Sequence, residues 1–459
     1  MIVNRQIKAL IVFTLLGLFL FVWLLKFGYF FSDDFTWLWH AQKMQSFRDI
    51  MTFKMSSYYS PVMNLFYYVS YKLFYYQAAY YFLFTILVHI LSTFLVWLLL
   101  SKFVKNKLVV YLGAILFLVA GSAYESVIWI SANIHSLTTL FILLAVYFYW
   151  LFLEDNKLKN AILVWLFFIL ALGTKEIAFI SGPLIILTFI FFVISRKKLA
   201  LTLYHKFLLF FIFIINAVYA FFEYRWQQGS VNISSGYWQL DFWQVLRWPV
   251  IIIDTIVPFG KLIDISNYRY FYVASFLLLI LVIFILRKSL LFYYGLFWLL
   301  IASLPTIFAV DKWWMPLVSR YTYLPKVGAV LIFVLLLEKM YRAWPKKYFY
   351  ALVSLIIIYN LAYWVIIAKN DYPYVYQSGR SLKQMVEEVG QKNPVRVFMV
   401  FPFPFENNNA HVVGAFSTLI DFSWERIIFV EENQLEAASP SPQDAVVYWD
   451  NKNRLYHIK

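Results

Sequence analysis

Two adjacent carboxylates, Asp33 and Asp34, stand in the stretch YFFSDDFTWLWH (29–40), directly after a long apolar run. A carboxylate near a membrane surface, among Tyr29, Phe30, Phe31, Phe35, Trp37 and Trp39, can act as a general base. Partial desolvation and a like-charged neighbour both raise its pKa. Capping or solvation at a helix end explains one aspartate better than two. Three further positions set charge among aromatics. Glu125 follows Tyr124 in AYESVIWISANIHS, four residues before Trp129 and ten before His135. Lys175 and Glu176 interrupt an apolar stretch, where an unpaired charge is costly. They read as a mutual ion pair, or as a phosphate-binding ammonium fixed by a glutamate. Arg320, with Tyr321 and Tyr323, opens an apolar run. Free N–H groups at a helix start favour anions, and the guanidinium fork suits phosphate; cation–π anchoring on Trp313 or Trp314 is the other reading.

The elements that must position these groups are membrane helices. Of the 459 residues, 63% are hydrophobic and 14% charged, an excess too large and too widely spread for a soluble core. The chain reads as all-α and polytopic. With no cysteine, disulfides, thiolate nucleophiles and Cys-ligated zinc are excluded. The net charge of +15 lies mostly in short connectors, a pattern of membrane orientation rather than of nucleic-acid binding.

Apolar runs long enough to cross fall near 9–27, 78–100, 108–123, 136–153, 161–174, 177–194, 207–222, 271–286, 289–308, 324–341 and 348–368. The first has no cleavage site after it and reads as a retained helix. One side of the membrane receives Arg5, Lys102, Lys157, Arg196, Arg287, Lys339 and their basic neighbours, against Glu154, Asp155 and Glu338. By the positive-inside rule that side is cytoplasmic, with the N-terminus. The other side holds every unusual feature: the first loop (28–77), the Glu125 turn, the Lys175–Glu176 turn, the Trp-rich loop from Glu223 to Tyr270, and the chain beyond 370. In the first loop Tyr59 belongs to an aromatic strip, an interfacial anchor or a ledge for a lipid-linked ligand. Residues 1–369 form the membrane domain. In 370–459, SLKQMVEEVG and AHVVGAFSTLIDF have helical spacing, PVRVFMVFP and ERIIFVEE read as strands, and DAVVYWDNKNRLYHI reads as a hairpin, making a small extracytoplasmic α/β domain.

Four stretches in order, SDD with YSP after the first helix, AYESVIWISANIHS, GTKEIAF and SRYTYLP, resemble motifs of the GT-C glycosyltransferases. That group includes protein O-mannosyltransferases, TMTC-type transferases and the lipid A aminoarabinose transferase. The resemblance covers roughly residues 9–330. It implies a polyprenyl-phosphate-linked sugar donor, an inverting single displacement on the extracytoplasmic side, and a first-loop aspartate as base. Asp33 matches the first acidic position, while Asp34 could hold the acceptor or position a backbone amide. Glu125 matches a second carboxylate facing the first across the cavity. Lys175, Arg320, Tyr321 and Tyr323 are then expected at the donor phosphate, and Glu176, Tyr59, Trp129 and His135 at the substrate. A divalent metal on Glu125 and His135 stays open. The chain lacks tetratricopeptide repeats and the Asp-Glu pair of the mannosyltransferases, so the acceptor, whether lipid, protein or cell-wall polymer, stays open too. A bacterial or archaeal plasma membrane is the expected location. A polysaccharide ligase with a diphosphate-linked donor, or a lipid-linked-sugar flippase, are the alternatives.

Overall fold

The computed structural model describes residues 2–53, 59–196, 203–227, 247–258, 268–307, 319–371, 376–401, 409–420, 422–431, 434–450 and 455–458. All eleven apolar runs are helical. They are α1 (Ile2–Phe27), α5 (Ala78–Phe103), α6 (Lys107–Val119), α8 (Asn133–Asp155), α9 (Leu158–Leu172), α10 (Ser181–Arg196), α11 (Leu203–Gln227), and the helices Tyr268–Leu286, Leu290–Ile307, Pro325–Ala343 and Lys346–Asp371. Among the described residues six spans are long and apolar enough to cross a membrane; helices satisfy their own backbone there, which is why the apolar runs fold this way.

α5 and α8 form the interior, whereas α1, α11 and Lys346–Asp371 turn residues such as Phe19, Phe213 and Ile358 outward. Sequence punctuation sets the ends. Asn106 caps α6 by accepting from the Leu108 and Val109 amides, and Asn156 in the left-handed region stops α8. Leu290–Ile307 and Pro325–Ala343 touch backbone to backbone at Gly295 and Gly328, where a Cβ on Gly328 would lie 2.6 Å from the Gly295 carbonyl oxygen and 2.7 Å from the Leu299 nitrogen. At one end of the bundle Glu154 binds both Lys102 (2.5 Å) and Arg196 (3.2 Å), joining α5, α8 and α10. Those residues were sorted to one side from the sequence, and they do share one face.

The first loop folds into three helices, α2 (Asp33–Lys43), α3 (Phe47–Thr52) and α4 (Pro61–Phe74). Ser46 and Asp49 close a capping box on α3, and Pro61 begins α4, where its missing N–H costs nothing. Beyond the last span, Ser378–Lys392 and Asn409–Ile420 are helices, and Val397–Phe401 (β1), Ile427–Glu431 (β2), Ala445–Asp450 (β3) and Leu455–Ile458 (β4) are strands. The sheet order is β2-β1-β3-β4, with β1 parallel to both β2 and β3 and β4 antiparallel to β3. The expected turn at 450–453 lies almost wholly outside the described residues. Asn409–Ile420 packs against α2, so the small sheet domain and the first loop form one layer.

Candidate functional site

Asp34 is fully buried and is the hub of the first-loop turn. Its Oδ1 accepts from the Ser131 amide at 2.7 Å, from the Ser131 hydroxyl, and from the Tyr67 hydroxyl at 3.3 Å. Its Oδ2 accepts from the Phe31 amide at 3.1 Å, while its own amide donates to the Phe31 carbonyl at 3.1 Å. The carboxylate thereby closes a turn on itself and ties that turn to the Glu125–Ser131 segment. Ser32, inside the turn, has φ 52° and ψ −129°, a region that costs a non-glycine residue of order 1 to 3 kcal/mol. Trp37 stacks on Tyr67 at 5.1 Å and shields the hub. Burial pushes the Asp34 carboxyl up to about 7, against the pull of Ser131 and Phe31 and with a push from Asp33.

Asp33 is only partly buried, and its charge acts on both Asp34 and Arg320. The two aspartates therefore differ in kind. Asp34 has donors on both oxygens and serves as a brace, whereas Asp33 is the carboxylate nearer solvent.

Arg320 lies in the short 3-10 turn Ser319–Thr322, which docks on the turn Gly121–Ala123 and on α7 (Glu125–Ile128). Its amide and Nη1 both donate to Glu125 Oε2 at 3.3 Å, and its guanidinium lies 4.9 Å from the Trp129 ring and 5.1 Å from the Tyr321 ring. The Ser126 hydroxyl reaches the Arg320 carbonyl at 3.5 Å, and that of Thr322 reaches the Ser122 carbonyl at 3.2 Å. Trp129 takes the stacking role considered for Trp313 and Trp314, which lie outside the described residues. His135 meets Tyr321 edge-on at 5.0 Å, and the charges of both Lys175 and Arg320 reach it. Among the described residues, His135 Nδ1 and Trp129 Nε1 are buried without a hydrogen-bond partner. Asp33, Glu125, Arg320, Tyr321, Trp129, His135 and Lys175 thus form one neighbourhood of two cations, two carboxylates and unsatisfied polar atoms.

Lys175 is nearly buried and pairs with Glu176 at 3.3 Å, and the turn holding it is fixed where the Gly173 carbonyl accepts from Val62 at the start of α4. Tyr59 belongs to a neighbouring cluster: its amide donates to Glu223 at 3.1 Å, and the Tyr219 hydroxyl donates to the same carboxylate at 2.9 Å. Tyr323 stands apart from the phosphate position expected of it. It is fully buried, and its hydroxyl bonds His89 Nδ1 at 2.6 Å inside the bundle. Lys326, passed over in the sequence, is fully buried beside it, 4.5 Å from the Phe117 ring, with the charge of Asp254 acting on it. Ser131 and Glu223 were missed as well; Ser131 sits inside the WIS stretch, and Glu223 is a lone acid closing an apolar run.

Among the described residues no three His, Asp or Glu side chains converge as metal ligands. Glu125 Oε2 is engaged by Arg320, while His135 Nδ1 has no hydrogen-bond partner; no step is assigned to the divalent metal left open above.

No protein-family model and no curated protein matches the chain. Among solved structures it resembles ArnT from Cupriavidus metallidurans bound to undecaprenyl phosphate, with a TM-score of 0.53 and 11% identity over 96% of this chain and 93% of that one. The apo state of the same protein gives 0.50 and 10% over the same shares. The apo oligosaccharyltransferase of Archaeoglobus fulgidus gives 0.51 and 13% over 94% of this chain, which spans only 65% of the length of that protein. The chain shares the fold of ArnT from Cupriavidus metallidurans.

Proposed function

We propose that this chain is a membrane glycosyltransferase that moves a sugar from a polyprenyl-phosphate carrier to an acceptor hydroxyl on the extracytoplasmic side. The observation that carries the reading is the meeting of the Asp33–Asp34 turn with Glu125 and Arg320, within a fold shared with a protein solved with undecaprenyl phosphate. In this reading Arg320 and Lys175 hold the donor phosphate. Glu125 and Trp129 fix the guanidinium before the donor arrives, so little is lost in ordering it. Burial opposes the Arg320 charge, but Tyr321, Glu125 and Asp33 outweigh it and keep the pKa raised.

Asp33 takes the proton of the acceptor hydroxyl. The acceptor oxygen then attacks the anomeric carbon from the face opposite the phosphate, the bond from that carbon to the phosphate oxygen breaks, and polyprenyl phosphate leaves with the electron pair. The configuration inverts. Asp34 and Ser131 hold the turn so that Asp33 faces the acceptor. Trp129 and His135 offer ring nitrogens to the sugar, and Glu176 keeps Lys175 extended. The N-terminus lies in the cytoplasm of a bacterial or archaeal cell and the sheet domain outside.

The test uses purified protein in nanodiscs with a panel of radiolabelled polyprenyl-phosphate sugars, reading donor binding and release of polyprenyl phosphate. One donor is expected to bind. Asp33→Asn should keep binding and lose turnover, and Arg320→Ala should weaken binding by about 10- to 100-fold, the worth of one charge-assisted contact. Binding of no donor, or normal turnover by Asp33→Asn, would overturn the assignment in favour of a diphosphate-linked donor or a transport role.

A further inference from the structure

The segment following the last span threads back into the reaction centre. Tyr376 is fully buried, and its hydroxyl donates to the Ile128 carbonyl at 2.7 Å. Its ring meets Phe31 edge-on at 6.1 Å, Phe82 at 5.8 Å and Trp23 at 6.4 Å. Three residues on, the Gly379 backbone lies against the Phe30 carbonyl with no room for a side chain. Arg380 donates to the Phe27 carbonyl at 2.8 Å and lies 5.4 Å from the Tyr29 ring. One short piece of chain therefore touches both halves of the cage around Asp34: the Phe27–Phe31 turn, whose Phe31 amide binds Oδ2, and the Glu125–Ser131 turn, whose Ser131 binds Oδ1. Phe31 also packs on Trp129 at 5.1 Å, which closes the ring of contacts through the residue beneath Arg320.

We propose that Tyr376 is a positioning residue of the transfer reaction, a bolt that fixes the spacing of the two turns braced by Asp34 and so the aim of Asp33. The inference rests on the proposed function for its catalytic consequence, but its structural claim stands by itself. A hydroxyl bound to a backbone carbonyl can be removed without changing shape, so Tyr376→Phe isolates the bolt from the bulk of the ring. Ile128 then loses its tie, Ser131 and Phe31 are held less tightly against Asp34, and Asp33 samples more orientations.

Two measurements on the full chain in nanodiscs separate the outcomes. Amide hydrogen exchange requires no activity. In Tyr376→Phe, peptides covering 27–35 and 124–132 should both exchange faster, by about tenfold, while α5 and α8 keep their protection. Arg380→Met, which leaves the tyrosine in place, should loosen 27–35 alone. With the donor that the wild type turns over, Tyr376→Phe should keep donor affinity and acceptor KM within about twofold and lose about tenfold in kcat. Unchanged exchange in both peptides overturns the bolt even if turnover falls. Faster exchange in both with kcat at the wild-type value overturns the positioning role. A wild type that turns over no donor overturns the proposed function, while the exchange experiment still decides whether Tyr376 joins the two turns.

Discussion

Replacing Asp34 by Asn gives the sharpest test of the brace. Asp34 titrates near 7 where a carboxyl ordinarily titrates near 3.8, chiefly because it is buried. A group whose pKa is raised on folding contributes most below its unfolded value, and that contribution is lost as pH rises to the folded value. Between about pH 4 and pH 7 the unfolded chain has released this proton while the folded chain keeps it. At about 1.4 kcal/mol per pH unit, the loss across the window comes to about 4 kcal/mol. Below pH 4 both side chains are neutral, but the Asn amide nitrogen cannot accept from the Ser131 or Phe31 amide as the two carboxyl oxygens do, so the wild type starts ahead. Thermal unfolding at fixed scan rate, followed by near-UV circular dichroism from pH 4 to 9, reads the difference between the two proteins. The wild-type advantage over Asp34→Asn should be largest at pH 4 to 5, shrink steadily towards pH 7, and level off above. Subtraction removes every other titrating group. Parallel curves across the range would refute the reasoning, since Asp34 would then not be the group that titrates.

Other expectations follow from the same geometry. Ser32→Gly should raise stability by about 1 kcal/mol, because glycine adopts positive φ without the side-chain penalty; no gain in unfolding midpoint would mean that the turn is not strained. Gly328→Ala places a Cβ against the Gly295 carbonyl and the Leu299 nitrogen. It should cost about 1 to 3 kcal/mol as overpacking does, and because Gly328 lies on the helix that follows the Arg320 turn, donor binding should weaken with it. A folded Gly328→Ala with wild-type midpoint and donor affinity would show that the helices can part there freely.

The membrane part of the fold is legible because the bilayer fixes both the length and the hydropathy of each crossing, and all eleven apolar runs are helices, most with ends within a few residues, although α1 begins at Ile2 rather than near residue 9. Sorting Lys102, Glu154 and Arg196 to one side is met by their ion pairs. Side-chain roles in the site are less legible. Nothing in the dipeptide Asp33–Asp34 says which carboxyl turns inward; that depends on the backbone at Ser32 and on Ser131, 97 residues away. Tyr323 shares a motif with Arg320, yet it faces the bundle and finds His89. Tyr376 carried no local signal, since its partner is 248 residues distant. Of the Trp-rich loop from Glu223 to Tyr270, residues 228–246 and 259–267 lie outside the described residues.

The sequence separations around Asp34 also bear on how the protein is made. Its donors come from Phe31, Tyr67 and Ser131, and the turn bearing Ser131 is tied in turn to Tyr376. Contacts this far apart close late, because each pays for a long loop before it gains anything. During synthesis the first loop emerges while its partners are still unmade, and its aspartates then sit in water as ordinary solvated charges. The cluster around Asp34 is completed only when the later helices have been made and Tyr376 has joined the turn bearing Ser131. A chain halted before Tyr376 would lack the tie to the Ile128 carbonyl, so the setting of Asp34 waits on a residue 248 positions beyond the turn it fixes.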